Sequence, residues 1–257
     1  MYRLLPILAF LFVASCADKP AAIPSEPMEE TIHPEEEPKE SPASESLKSM
    51  LEERKASFLE KAPQDKIDLF NRGIQAIADD KVIEGAKNVG DQAPQFSLPN
   101  ALGETVNLED LLAEGPIVLT WYRGGWCPYC NLTLAAFQDK SEKFKALGVQ
   151  LVAISPEIPD SSLSTKEKSN LEFEVLSDQE NKVAALFGLK YQLMDELAVV
   201  YENNAHISTY NLTDESALPL AATYVIETDG TISYAFLDND YRNRAEPQEI
   251  LDFMANK

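Results

Sequence analysis

The chain has 257 residues, 44% of them hydrophobic, and carries 22 Lys and Arg against 43 Asp and Glu for a net charge of −21. That length allows one substantial domain with additions. A phosphate backbone would repel so acidic a surface, which argues against nucleic-acid binding, and the same charge argues against adsorption to anionic lipid.

Residues 1–15 read as an export signal. Arg3 gives a positive start, Leu4 to Val13 is almost wholly apolar, and Ala14 and Ser15 are small, as a cleavage site requires. The apolar run falls short of the ~20 residues a spanning helix needs. Val13-Ala14-Ser15-Cys16 resembles the lipobox of bacterial lipoproteins, which implies lipid on Cys16 and a place in the bacterial cell envelope, facing the periplasm or the exterior. This reading also accounts for the odd one of three cysteines. Residues 16–45 read as a disordered tether, because six prolines and nine acids set against Lys19 and Lys39 leave almost nothing to bury. His33 lies there and reads as solvated.

Residues 46–87 read as a helical extension. Leu47, Met50, Leu51, Phe58 and Leu59 make one apolar stripe, Ala62-Pro63 breaks the helix, and Ile67, Phe70, Ile74 and Ile77 make the stripe of a second helix from Gln64. No chemistry is visible in this part. From 88 to 257 strands alternate with helices. Strands are predicted at 96–98, 105–107, 117–122, 150–155, 173–176, 223–227 and 231–236. Helices are predicted at 108–114 behind a capping Asn107, from Cys130 to about Leu147, and at 164–170, 181–187 and 247–256. The continuous run Ile117 to Tyr122 suits a strand buried on both faces. The pattern is that of an α/β sandwich around a mixed sheet.

The chemistry sits in Cys127-Pro128-Tyr129-Cys130, after the flexible Arg123-Gly124-Gly125 and Trp126. A thiol reacts as its thiolate, and a helix amino terminus lowers its pKa. Pro128 suits the first helical position, so Cys127 is expected at the cap with its sulfur aimed at free N–H groups and Cys130 one turn on. Two units of pKa depression would favour the thiolate by ~2.7 kcal/mol. A mere crosslink over so short a loop would contribute only roughly 2 kcal/mol. A zinc site lacks its second half, since the only histidines are His33 and His206, so no metal is expected. His206 reads as a surface or satisfied histidine and Trp121 as core.

Residues 87–251 resemble the peroxiredoxin-like branch of the AhpC/TSA family, within the thioredoxin fold. The matching stretches are Gly90 to Asn100, Tyr122 to Asn131, Ala153-Ile154-Ser155-Pro156, Leu176-Ser177-Asp178, Leu218-Pro219 and Asp240 to Pro247. The resemblance implies a thioredoxin-like, peroxiredoxin-type domain behind the helical extension. It further implies that Cys127 attacks a hydroperoxide, that Cys130 resolves the product, that an external dithiol such as a thioredoxin-like protein restores both, and that no cofactor takes part. Two positions depart from the family pattern. Gly124 stands where ordinary members place Thr or Ser, and Ala221 where they place Arg. Arg123 is a candidate to stabilise the thiolate in their stead, Trp126, Pro128 and Tyr129 to wall the site, while Arg244 reads as a surface arginine paired with an acid. Two alternatives stay open: dithiol exchange with protein disulfides, and a non-catalytic envelope lipoprotein that uses the fold for binding.

Overall fold

The computed structural model describes residues 46–213 and 215–257. The signal, Cys16 and the tether lie outside the described residues. Helix α1 (Leu47–Lys61) begins at Ser46, whose hydroxyl accepts from the Ser49 N–H, and ends ahead of Pro63. Its inward face is Leu47 and Leu51. Leu59, expected in that stripe, points out at 44% exposure, and Phe58 instead packs on Phe70 of α2 (Gln64–Asp79). A single turn, α3 (Val82–Gly85), leads into the α/β part.

There, β1 (Ser97–Pro99) and β2 (Thr105–Asn107) form a small antiparallel pair. Helix α4 (Leu108–Glu114) follows, and Asn107 precedes it in extended conformation. Its amide donates to Asp110 Oδ2 rather than capping a backbone N–H. The main sheet has five strands: β3 (Ile117–Trp121), β4 (Gln150–Ser155), β5 (Glu174–Ser177), β8 (Thr223–Ile226) and β9 (Ile232–Phe236), in the order β5-β4-β3-β8-β9. The first three run parallel, and β8 and β9 are antiparallel. The central strand explains its own sequence. Ile117, Leu119 and Trp121 join the core on one face while Val118 joins the core on the other, so alternate residues are all buried.

Helices cover both faces. Between β3 and β4 run α5 (Pro128–Asp139) and α6 (Ser141–Ala146), where one helix was expected to continue to Leu147. The chain leaves helical geometry at Lys140 (φ −106°, ψ 0°). Phe137 and Phe144 pack together across this break, so the apolar stripe runs on although the helix does not. Helix α7 (Pro159–Lys168) starts five residues before the expected 164, with proline in its first turn. After β5 come α8 (Lys182–Leu186) and a region with no predicted elements. This region forms β6 (Lys190–Gln192), α9 (Asp195–Ala205), α10 (Ile207–Asn211) and β7 (Ala217–Pro219), the two strands pairing antiparallel. Helix α11 (Pro247–Ala255) closes the chain. No helix among the described residues is long and apolar enough to cross a membrane.

Candidate active site

Strand β3 delivers the chain to the site. The Tyr122 N–H still reaches Ile154 O at 2.9 Å. The backbone then turns through Arg123-Gly124-Gly125-Trp126, and the Cys127 N–H closes the turn on Gly124 O at 3.0 Å. Cys127 is the N-cap of α5 and Pro128 fills its first turn. The Cys127 sulfur makes no capping hydrogen bond, contrary to the sequence expectation. It meets the Cys130 sulfur instead. Both are free thiols, and both are sealed, at 1% and 0% exposure. Cys130 Sγ receives the Arg123 N–H at 3.4 Å and Arg244 Nη2 at 3.5 Å.

These neighbours divide the pair. Burial by itself would push the Cys130 thiol up. The hydrogen bond from Cys127, the charges of Arg244 and Arg123, and the Arg123 N–H outweigh it and bring the group down to about 5. Cys127 moves the other way, raised by burial and then by the hydrogen bond and charge at Cys130. The hydrogen-bond donors of the site thus gather on Cys130.

Arg123 is buried at 1% exposure. Its guanidinium lies 5.0, 4.8 and 4.0 Å from the ring centroids of Trp126, Tyr201 and Tyr241, and its Nε has no hydrogen-bond partner among the described residues. A guanidinium cannot shed its proton, so a cation held this far from water calls for a counter-anion. Among the described residues no ion pair supplies one, and the Arg123 charge favours the ionised form of the Cys130 thiol. The expectation for Arg244 is corrected. It is not a surface arginine with an acid partner. It is 8% exposed, donates to Asn243 O and to Cys130 Sγ, and has no partner for its Nε among the described residues. It also lines a cleft of about 390 Å³ with Lys48, Leu51, Arg242 and Glu246, so it bridges the sulfur and the surface.

The departures from the family pattern have a steric cause at Gly124. Its φ is +147°, and a Cβ there would lie 2.2 Å from the Trp126 indole nitrogen. A threonine there would force the tryptophan ring to move. Gly125 is equally crowded, by the Thr165 hydroxyl at 2.2 Å. Trp126 is half-buried and packs on Tyr201 at 5.3 Å. Tyr129 is buried and lies edge-on to Tyr241 at 5.7 Å. Ala221 is buried just before β8 and brings no charge. Trp121 fills the core against Phe187 and Tyr224.

Sequence reasoning missed Tyr201, because its helix α9 was not predicted, and Glu157. Glu157 is fully buried. Its carboxyl accepts from the Gly125 N–H at 3.0 Å, the Tyr122 hydroxyl at 3.1 Å and the Thr165 hydroxyl at 3.3 Å, which fixes the loop ahead of the thiols. Burial pushes this carboxyl up despite the three donors. A lone acid at the apolar end of β4 was the available signal. The helical extension also reaches the site, because Leu47 and Leu51 pack in one cluster with Cys127, Cys130 and Leu134. His206 sits between α9 and α10 in left-handed geometry. Among the described residues, no three His, Cys, Asp or Glu come together as metal ligands.

Residues 89–235 match the model of the AhpC/TSA family. The chain belongs to the AhpC/TSA family. Similar AhpC/TSA proteins include the chloroplastic peroxiredoxin Q of Gentiana triflora, 28% identical over 163 residues, 63% of either chain. Peroxiredoxin Bcp of Escherichia coli is 27% identical over 64% of this chain and 94% of its own. The chain thus spans just under two thirds of the plant relative's length. The fold is that of peroxiredoxins. A crystal structure of the peroxidoxin BcpB from Mycobacterium tuberculosis superposes with a TM-score of 0.53 at 24% identity, covering 66% of this chain and 97% of the other.

Proposed function

We propose that the protein is a thiol-dependent peroxidase that reduces hydroperoxides through a Cys127–Cys130 dithiol–disulfide cycle. The observation that carries the reading is a pair of hydrogen-bonded thiols at a helix amino terminus, bracketed by two buried arginines that pair with no carboxylate among the described residues. Cys127 sulfur attacks a peroxide oxygen and becomes a sulfenic acid. Cys130 displaces the hydroxyl to form the disulfide, and an external dithiol of the thioredoxin type returns both sulfurs to thiols. The relatives named peroxiredoxin support this chemistry.

Exchange with protein disulfides is the second reading, favoured by the unusual Gly124 and Ala221. Burial weighs against it. A hydroperoxide needs a small opening to reach a sulfur that is 1% exposed, whereas a protein disulfide needs an open face. Peroxide consumption by purified protein with an added dithiol, compared with reduction of a protein disulfide, separates the two. At the amino terminus the reading is a lipid anchor on Cys16 that holds the domain in the bacterial envelope. It is supported by the run Val13-Ala14-Ser15-Cys16 and the leftover cysteine. Expression of the full chain in a bacterial host, followed by detergent partition and peptide mass, tests it. Cys16→Ser should move the protein from the detergent phase to the aqueous phase.

A further inference from the structure

We infer that the indole N–H of Trp126 donates a hydrogen bond to the departing oxygen of the hydroperoxide, which makes Trp126 a catalytic residue of the cycle. This inference rests on the peroxidase reading and adds to it the group that stabilises the leaving oxygen.

The Trp126 indole nitrogen is buried and has no hydrogen-bond partner among the described residues. Buried N–H groups are nearly always paired, so one left over calls for an acceptor that arrives with a ligand. The indole nitrogen can only donate, which restricts that ligand to one offering a lone pair, such as an oxygen. Its place in the chain sets it beside the reacting sulfur. Trp126 precedes Cys127, and the Cys127 N–H closes on Gly124 O at 3.0 Å, so both residues belong to one tight turn. Within that turn the indole nitrogen lies 2.2 Å from where a Gly124 Cβ would stand. On this backbone it fills the space in which ordinary family members place a Thr or Ser side chain, and it puts one donor where they have another. The ring packs against the cluster that holds Cys127 and Cys130. It is also held in place, with the Arg123 guanidinium 5.0 Å and the Tyr201 ring 5.3 Å from its centroid. Trp121 offers an internal comparison. Its nitrogen also lacks a partner among the described residues, but its ring packs on Phe187 and Tyr224 in the core cluster that contains neither sulfur.

In the reaction, Cys127 as its thiolate attacks the terminal peroxide oxygen. The S–O bond forms, the O–O bond breaks, and two electrons pass from sulfur to the peroxide. The sulfenic acid keeps the attacked oxygen with its hydrogen, while the other oxygen leaves as an alkoxide and gains a proton from water. Negative charge grows on that second oxygen as the O–O bond stretches. A fixed N–H placed there stabilises the transition state more than the intact peroxide, and the indole keeps its own proton throughout.

The test compares the wild-type full chain with Trp126→Phe, which keeps an aromatic ring and removes the N–H. Loss of one such donor is expected to lower kcat/KM for tert-butyl hydroperoxide by about 10²–10³-fold. Alkylation of the thiols by iodoacetamide, whose leaving iodide needs no such donor, is expected to stay close to the wild-type rate. Unchanged peroxide kinetics in folded Trp126→Phe would overturn the inference, and so would equal losses in both reactions, which mark a packing role. Should Trp126→Phe not fold, Cys127→Ser decides, because it lacks the attacking sulfur. Nuclear magnetic resonance of this isotope-labelled variant is expected to show the Trp126 indole proton moving downfield as tert-butyl hydroperoxide is added, while the Trp121 signal stays in place. A Trp126 signal that does not move at hydroperoxide concentrations that the wild type turns over would overturn the inference. A wild type that consumes no peroxide would sink the peroxidase reading itself, whereas consumption undiminished in Trp126→Phe would sink this inference and leave that reading standing.

Discussion

Replacing Arg123 with Met separates a catalytic cation from a structural one. The side chain keeps its stem and loses its charge. On stability, two effects of similar size oppose each other. Three aromatic rings at 4.0–5.0 Å contribute cation–π attraction, roughly 2 kcal/mol or more when desolvated. Against that stands the desolvation of a guanidinium that has no carboxylate partner, a cost of several kcal/mol, so that apolar replacements of buried ions are often neutral or stabilising by ~1–4 kcal/mol. The net change should therefore fall within about ±2 kcal/mol. On chemistry nothing offsets the loss. An opposite charge within reach of a thiolate is worth ~1–3 pKa units. The low titration of the dithiol, now about 5, should then rise, and fewer sulfurs are ionised at any pH below the new midpoint. Urea denaturation gives the first quantity, and the pH dependence of thiolate absorbance with peroxide turnover gives the second. A variant destabilised by about 3–5 kcal/mol, the cost of breaking a buried pair, while its thiol titration stays put would show that Arg123 serves the fold alone.

Other outcomes follow from the same geometry. Gly124→Ala should displace the Trp126 indole and cost on the order of 1–3 kcal/mol, from a positive φ and a 2.2 Å clash. Denaturation with tryptophan emission reads both, and an unaltered spectrum would contradict the packing. Leu47→Ala should cost ~2–5 kcal/mol by urea denaturation and speed alkylation of Cys130, because Leu47 is a buried wall of that cluster. For Glu157, burial raises the carboxyl in the folded state above its value in the unfolded chain. The folded state then binds the proton more tightly, so the contribution is present below the ordinary carboxylate range and is lost as pH rises from that range through the raised folded value. Glu157→Gln copies the protonated form and should gain on the wild type as pH rises. Parallel stability curves from pH 4 to 8 would refute this.

The parts of the fold that the sequence displays are those whose signal is local. Ile117 to Trp121 and Gln150 to Ser155 are unbroken apolar runs because both faces of the sheet are covered. The strand–helix junction is legible from Arg123 to Cys130 because glycines, a proline at the first helical turn and two cysteines each have a position-specific meaning. The break at Lys140 hid behind Phe137 and Phe144, which share one core across it. Helix α9 hid because Val199 faces solvent and the stripe is reduced to Leu197 and Tyr201. Arg244 and Glu157 were the harder cases. A charge in an irregular segment reads as surface until the fold closes over it, and neither residue has a periodic neighbour to mark it as buried.

The central claim is tested most directly by mixing the reduced full chain with a hydroperoxide and following oxidant consumed against thiols lost. The account predicts one peroxide reduced per Cys127–Cys130 disulfide formed, a sulfenic acid that accumulates on Cys127 in Cys130→Ser, and no reaction in Cys127→Ser. A wild-type protein that leaves the peroxide untouched while it reduces a protein disulfide would contradict it.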